Sequence, residues 1–161
     1  MTNSPIYMTR RGALAFQDEL LVLKRDKRPK IVQEVSDAAA QGDRSENAEY
    51  IYGKKKLREI DRRMLFLLKR LDMITVIDPA DRPVNERDRV FFGATVDVED
   101  EDGKVMRYQI VGEDESDSSL GRISYKSPLG FALLKKREGD TVTVRRPVGE
   151  IDVTIVRIVY E

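Results

Sequence analysis

One repeat constrains the fold of this chain more than any other feature. An apolar or small residue recurs at alternating spacings of three and four along residues 50–74. The repeat consists of Tyr50, Gly53, Leu57, Ile60, Met64, Leu67, Leu71 and Ile74. A register kept over more than three heptads is typical of a coiled-coil seam. The segment is therefore predicted to be a long helix that buries its seam against a second helix.

The preceding segment supplies that second helix, which we expect to open near Thr9. Its seam residues are Phe16, Leu20, Leu23, Ile31, Val35 and Ala38. The register slips at residues 27–30, where Pro29 lacks an N–H and crowds the preceding turn, so a kink or brief break is predicted. Because the connector is short, the two helices should form an antiparallel hairpin. Arms of about 30 residues would be roughly 45 Å long.

The connector, AAAQGDRSENAEY, carries three acids between the two helices. One interpretation is structural: Gly42 closes the first helix at the C′ position, Asp43 is the N-cap of the second, and Glu46 occupies the capping-box position. The other is functional. If Asp43 and Glu46 lie one helical turn apart, their carboxylates can converge on a hard cation such as Mg²⁺. Two carboxylates make only half a site, so phosphates or a second protein would have to complete it.

Basic residues form a stripe along the second helix. In the register of the seam, Lys55, Arg62 and Lys69 fall at f positions, and Lys56, Arg63 and Arg70 fall at g positions. A solvated coiled-coil face is one explanation. The acids Glu59, Asp61 and Asp72 of the same helix lie at other heptad positions, so we expect the stripe to keep its positive charge and to be able to contact a polyanion.

Composition excludes several kinds of chemistry. The 161 residues include no Cys and no His, so disulfides, thiolate or imidazole zinc sites, cysteine nucleophiles and Ser-His-Asp triads are excluded. Any metal would need oxygen ligands, as Mg²⁺, Mn²⁺ or Ca²⁺ do. No apolar run approaches the roughly 18 residues of a membrane span, and the polar start lacks a secretory signal. A cytoplasmic protein without a membrane partner is expected.

Charge and strand signals divide the chain into two domains. Residues 1–75 carry 16 Lys and Arg against 11 Asp and Glu, a net charge of +5, whereas residues 76–161 carry 13 against 18, a net charge of −5. The prolines of VIDPADRPVN mark the division. We predict an α+β chain with a helical hairpin over residues 1–76, a linker over 77–85 and an antiparallel sheet domain with one helix over 86–161.

Local signals in the second domain predict two hairpins and a helix. TVDVED and VMRYQIV should pair around Asp102 and Gly103, and TVTVRR should pair with IDVTIVRIVY. Ser127 and Pro128 are expected to start the helix LGFALLKKR, and Gly139 to close it. The acidic runs DVEDED and EDESD lack the glycine position of an EF-hand and are interpreted as solvated turns.

Several motifs, in order along nearly the whole chain, resemble one family. GDRSENAEY, YGKKKLREIDRR, VFFGATVDVED, YQIVGEDE, GRISYKSPLGFALLKKREGDTV and IDVTIVRIVYE are similar to segments of the bacterial transcript-cleavage factors GreA and GreB. LREIDRR and the basic stripe are closer to GreB, which the chain resembles most, whereas GRISYKSPL is closer to GreA. The resemblance implies an FK506-binding-protein-like fold for the C-terminal domain.

The resemblance also implies a function. The hairpin would enter the secondary channel of RNA polymerase, and its tip would stimulate Mg²⁺-dependent cleavage at the 3′ end of backtracked RNA. Asp43 and Glu46 would hold a Mg²⁺ shared with the polymerase, which the free protein is not expected to bind, and Ser45 would position the attacking water or a phosphate. The basic stripe would contact RNA or polymerase, and the C-terminal domain would dock at the channel rim. The chain would be a monomer and not itself an enzyme.

Two other functions remain open at this stage. A related factor could fill the channel and inhibit or modulate the polymerase without cleavage, although the presence of both Asp43 and Glu46 argues against it. A coiled-coil adaptor unrelated to transcription is the other alternative. Glu49 and Tyr50, one turn beyond the acids, are interpreted as structural residues.

Overall fold

The computed structural model describes residues 5–42 and 46–161. They form two compact units. One is Ala13–Ile74, and the other joins the described residues up to Gly12 with Thr75–Glu161. The start of the chain therefore differs from the predicted division, which assigned residues 1–76 to the hairpin. No helix among the described residues is long and apolar enough to cross a membrane.

In the described part of the hairpin there are three α-helices: α1 (Arg10–Val22), α2 (Arg28–Ala39) and α3 (Ala48–Met73). The seam predicted for α3 is confirmed, because its d positions Gly53, Ile60 and Leu67 are buried and its a positions are half-buried. Cross-helix contacts run in opposite order along the two arms: Glu19 with Arg63, Arg28 with Asp61, and Val35 with Gly53. The hairpin is therefore antiparallel, as predicted.

A wide π-turn at Leu23–Lys27 separates α1 from α2. Its closing bond runs from the Arg28 N–H to the Leu23 carbonyl, five residues back. The extra residue in this turn explains the register slip, since Leu23 and Ile31 are eight residues apart where a heptad would put seven. Pro29 follows within the first turn of α2, where a missing N–H is tolerated. The predicted register slip is confirmed, although it lies a few residues earlier than expected. The chain stays helical through the turn, with Val22, Lys27 and Arg28 in the right-handed helical region, so the helix is not broken.

Among the described residues, the C-terminal unit contains seven strands and one α-helix. The strands are β1 (Ile6–Thr9), β2 (Ile74–Ile77), β3 (Thr95–Glu99), β4 (Val105–Val111), β5 (Arg122–Ser124), β6 (Thr141–Arg146) and β7 (Gly149–Val159). The helix is α4 (Pro128–Leu133). β1 pairs with β2, and the five others form one sheet in the order β5-β4-β3-β7-β6. Its core includes Val96, Ile110, Leu133, Val144 and Ile155, each at most 1% exposed.

Both predicted hairpins are present. β3 pairs antiparallel with β4, and Asp100 Oδ1 accepts the N–H groups of Asp102 and Lys104 in their turn, where Gly103 has a φ of 80°. β6 pairs antiparallel with β7 through a two-residue loop. The α+β fold class is confirmed, with one departure: the short strand β5 runs parallel to β4.

The helix α4 starts as predicted and ends earlier than predicted. Ser127 Oγ accepts the N–H of Gly130, and Pro128 is the first helical residue. The helix ends at Leu133, so the prediction that Gly139 closes it is wrong. Lys135 instead takes a φ of 68°, and its N–H donates to the carbonyl of Val90. Because the backbone of Lys135 is bonded to this distant segment, the helix does not continue beyond Leu133.

Candidate functional site on the helical hairpin

The tip of the hairpin lies between the end of α2 and the start of α3. α2 ends at Ala39 with Ala40 as C-cap, so Gly42 lies one position beyond the predicted C′. Its φ of 142° belongs to the region that favours glycine. Nothing lies within 4 Å of an added Cβ, so backbone conformation is the constraint on this residue. Asp43 and Ser45 lie outside the described residues.

Asn47 is the N-cap of α3, which makes the predicted N-cap at Asp43 and capping box at Glu46 wrong. Its Oδ1 accepts the N–H of Tyr50 at 3.1 Å. Its Nδ2 donates to the Ala38 carbonyl at 2.7 Å, so the same side chain joins the two arms. The sequence held a signal for this role, because Asn is among the best N-cap residues and directly precedes the seam pattern.

Glu46 is exposed and precedes the N-cap of α3. Glu46 is not in a helix. The expectation that helical spacing brings its carboxylate close to that of Asp43 therefore does not apply. Glu49 is exposed in the first turn of α3, where a negative charge offsets the positive end of the helix dipole. This placement fits a structural role for Glu49. The half-buried Tyr50 lies at its seam position.

The hairpin is narrow directly behind the tip. A Cβ added to Gly53 would lie 2.6 Å from Val35 Cγ2, so only glycine allows the two arms to approach this closely. α3 continues for 26 residues, which corresponds to about 39 Å of helix. Glu46 is thus presented at the end of a long, slender pair of helices.

The basic stripe divides into two halves that differ in their contacts. The f positions Lys55, Arg62 and Lys69 are all exposed. At the g positions, Lys56 is exposed, whereas Arg63 and Arg70 lie over the ring of Phe66 at 5.0 and 5.3 Å. The three f positions and Lys56 therefore all present exposed positive charge.

Glu19 on α1 pairs with Arg63, a neutralisation that the heptad positions of α3 could not show. Arg63 Nε and Nη2 donate to the two carboxylate oxygens at 2.8 and 2.9 Å. These hydrogen bonds, opposed by desolvation and assisted by the positive charge, lower the pKa of Glu19. The expectation that the stripe keeps its charge along its whole length is wrong at this position. The missed signal is that Glu19 and Arg63 both fall at g positions of their helices. In an antiparallel pair of helices, such positions face each other and can form an ion pair.

A complete metal site is not present in the described ranges. No group of three or more acids among residues 5–42 and 46–161 could hold a metal ion. The exposed Glu46 carboxylate is a hard oxygen ligand of the kind that Mg²⁺ prefers.

Comparison with known proteins gives the family. A family model described as "Transcription elongation factor, N-terminal" matches residues 6–76, and one described as "Transcription elongation factor, GreA/GreB, C-term" matches residues 85–160. The chain belongs to the GreA/GreB family. Transcription elongation factor GreB of Haemophilus influenzae is 49% identical over 96% of this chain and 96% of that protein. GreB of Pseudomonas aeruginosa is 51% identical over 95% and 89%.

Solved structures of the family are more distant. A transcription elongation factor GreA/GreB from Nitrosomonas europaea is 21% identical with a TM-score of 0.42, covering 98% of this chain and 100% of that chain. GreA factor homolog 1 of Thermus thermophilus is also 21% identical with a TM-score of 0.42, covering 97% and 99%. The assignment to the GreA/GreB family, and the greater similarity to GreB, rest on the sequence relatives and the two family models. Membership excludes an adaptor unrelated to transcription.

Proposed function

We propose that this elongation factor binds RNA polymerase, inserts its hairpin into the secondary channel and stimulates cleavage at the 3′ end of backtracked RNA. Family membership supports polymerase as the partner. The structural observation that carries the proposal is the exposed Glu46 at the end of a slender hairpin. Because this carboxylate is exposed, it is accessible to a partner.

Asp43 and Glu46 would contribute carboxylate oxygens to a Mg²⁺ that the polymerase also holds. Bound there, Mg²⁺ would lower the pKa of a water and stabilise charge on the phosphodiester. Ser45 would orient that water or a phosphate oxygen. The chain is then not an enzyme by itself, because it lends ligands to the cleavage activity of the polymerase.

The exposed cations of the f positions support the same partner. Lys55, Arg62 and Lys69 repeat every seventh residue along α3, so they form one line that points away from the seam. Lys56 adds to this line, whereas Arg63 is engaged with Glu19. In the proposed complex these residues contact the phosphates of extruded RNA or acidic walls of the channel. Each phosphate contact would add about one unit to the salt dependence of binding.

The test uses a halted, backtracked elongation complex with Mg²⁺ and RNA labelled at its 3′ end. The wild-type factor should release short 3′ fragments, and the double variant Asp43→Ala/Glu46→Ala should lose at least about a hundredfold in cleavage rate, as expected when metal ligands are removed. Binding to polymerase should be retained. Glu49→Ala is the matched control, since it removes an exposed acid one turn along α3 and should leave cleavage within about twofold.

Two outcomes would contradict the proposal. Unchanged cleavage by the double variant would show that the tip acids hold no catalytic cation. Polymerase binding by the wild-type factor with no fragment release would instead identify a secondary-channel binder that inhibits or modulates the enzyme.

A further inference from the structure

A groove of about 800 Å³ lies between α4 and the strand β6 in the C-terminal unit. Its apolar wall includes Phe131, Leu134 and Val142, and its cations are Lys135, Lys136 and Arg145. Phe131 is 73% exposed. A single exposed apolar residue is ordinary, but an aromatic ring beside an apolar groove is the usual form of an anchor site in a protein interface.

The backbone holds Lys135 in an uncommon conformation, and hydrogen bonds fix both lysines against the segment of Val90. Lys135 has a φ of 68°, which a side chain other than glycine, Asn or Asp adopts at a cost. The Lys135 N–H donates to the Val90 carbonyl at 2.6 Å, and the Val90 N–H donates to the Lys136 carbonyl at 2.8 Å. These paired bonds keep the strained residue in place, as is common where a backbone serves a binding surface.

The groove is positive within an acidic half of the chain. None of its lining residues is acidic, although residues 76–161 have a net charge of −5. The nearby carboxylates of Glu138 and Asp140 accept backbone N–H groups of Ile158 and Arg137 instead, and that of Asp152 accepts the hydroxyl of Thr143, which lines the groove. An ion pair of Arg145 with Glu150, at 3.4 Å, is strongly exposed, and such pairs contribute little. The charge of the groove therefore favours an acidic occupant.

The strand β6, which lines one side of the groove, is also an edge strand of the sheet. β6 pairs with β7 on one side and is the last strand of the five-stranded sheet. Such an edge can accept an extended segment, whose backbone continues the sheet while alternate side chains enter neighbouring pockets. The charged side chains of Arg145 and Arg146 disfavour pairing of this edge with the same edge of a second copy.

We propose that this groove binds an extended acidic segment of another protein. The segment pairs with the outer edge of β6, places an apolar side chain against Phe131 and Val142, and directs carboxylates at Lys135, Lys136 and Arg145. This site lies wholly within the C-terminal unit and does not depend on the tip acids or on RNA cleavage.

The test titrates the full-length protein with a short labelled peptide in which Glu alternates with Val or Thr, followed by fluorescence anisotropy. Saturable binding is expected, with hydrogen exchange slowed at the amides of β6. Phe131→Ala should weaken binding about tenfold or more, as loss of an aromatic anchor does. Lys136→Glu should weaken it further and reduce its dependence on salt. Both changed side chains are exposed, so the fold should be preserved, which circular dichroism checks.

Val148→Ala provides the matched control. Val148 is 86% exposed in the turn that follows β6, and its loss should leave peptide affinity unchanged. The proposal is overturned if the acidic peptide fails to bind at millimolar concentration, or if Phe131→Ala binds it as well as the wild type. Tighter binding of a peptide with Lys in place of Glu, or of single-stranded RNA, would also overturn it.

Discussion

The carboxylate of Glu115 organises the start of α1 at the scale of single residues. It accepts the N–H groups of Thr9 and Gly112, each at 2.9 Å, and the hydroxyl of Thr9. Thr9 Oγ1 in turn accepts the N–H of Gly12, as an N-cap does. A Cβ added to Gly12 would lie 2.1 Å from Glu115 Oε1. Glycine is thus required here by a neighbour far away in sequence.

Replacement of Gly12 by Ala should destabilise the protein by about 1–2 kcal/mol. Alanine gains about 1 kcal/mol in helix propensity, but its methyl group displaces Glu115, and loss of its hydrogen bonds costs about 1–3 kcal/mol with added strain. Urea unfolding measures the difference. In a Glu115→Ala background the same replacement should become neutral or stabilising. Equal effects in both backgrounds would contradict the contact.

The ends and interruptions of the helices set the hairpin at the scale of elements. Asn47 caps α3 and also bonds to Ala38 on α2, so it determines where the second arm begins. The π-turn at Leu23–Lys27 performs the opposite task within the first arm, because it absorbs one residue and restores the seam. Each feature can be changed without touching the core of the sheet.

Replacement of Asn47 by Ala should cost about 1 kcal/mol or slightly more, since it removes the cap and the bond between the arms. Asn47→Asp should lose less, because the carboxylate still accepts the Tyr50 N–H while the donor to Ala38 is absent. Hydrogen exchange at the Tyr50 amide is the measurement. Faster exchange is expected for the Ala variant, and wild-type exchange in that variant would argue against the cap.

Deletion of Asp26 together with Pro29→Ala should turn the first arm into one continuous helix. The deletion brings Leu23 and Ile31 to heptad spacing, so the π-turn is no longer needed, and alanine restores the missing N–H. Deletion of Asp26 alone should be destabilising by about 3 kcal/mol, because Pro29 would then lie inside an uninterrupted helix. Helical circular dichroism and thermal unfolding distinguish the two variants. Similar stability of both would show that the turn has another cause.

At the scale of the whole molecule, ion pairs and one buried phenol set the pH range of stability. Hydrogen bonds from Arg107, at 2.8 and 3.2 Å, lower the pKa of Asp97 on β3, as those from Arg63 lower the pKa of Glu19. Burial raises the pKa of Tyr160, against the opposing hydrogen bond from the Phe91 N–H. The Tyr160 hydroxyl donates to the Arg89 carbonyl, so its neutral form is the bonded one.

Stability should therefore fall at both ends of the pH scale. The lowered pKa values of Asp97 and Glu19 mean that their contribution is present above the unfolded values of 3.8 and 4.5 and is lost as the pH falls below them. The raised pKa of Tyr160 means that its contribution is present below 10.0 and is lost as the pH rises above it. Urea midpoints measured across pH should show both limbs.

Two variants test which residues cause the loss of stability at acid and at alkaline pH. Asp97→Asn should flatten the acid limb, and Tyr160→Phe should flatten the alkaline limb while lowering stability at neutral pH, because the Phe91 N–H loses its acceptor. An unchanged limb in either variant would show that other groups control it.

Patterns carried by neighbouring residues were sufficient for much of this fold. The heptad seam of α3, the two β-hairpins and the Ser127 cap of α4 each depend on spacing, propensity or turn chemistry within a short window. Pro29 likewise predicts a register slip in the first arm, although it does not predict the position of the π-turn at Leu23–Lys27. These features are encoded locally because apolar periodicity and caps act over a few residues.

Contacts between distant residues decided the rest. Asn47 is the cap because its amide also reaches Ala38, and Arg63 is neutralised because Glu19 lies across the seam. α4 ends where it does because Lys135 pairs with Val90. Residues 5–12 join the C-terminal unit, where Glu115 accepts hydrogen bonds from Thr9. The sequence by itself determined the seam, the hairpins and the family. The helix caps and helix ends depended on the tertiary structure. Local alternatives for them differ by about 1 kcal/mol, and one hydrogen bond between distant residues contributes a free energy of the same size.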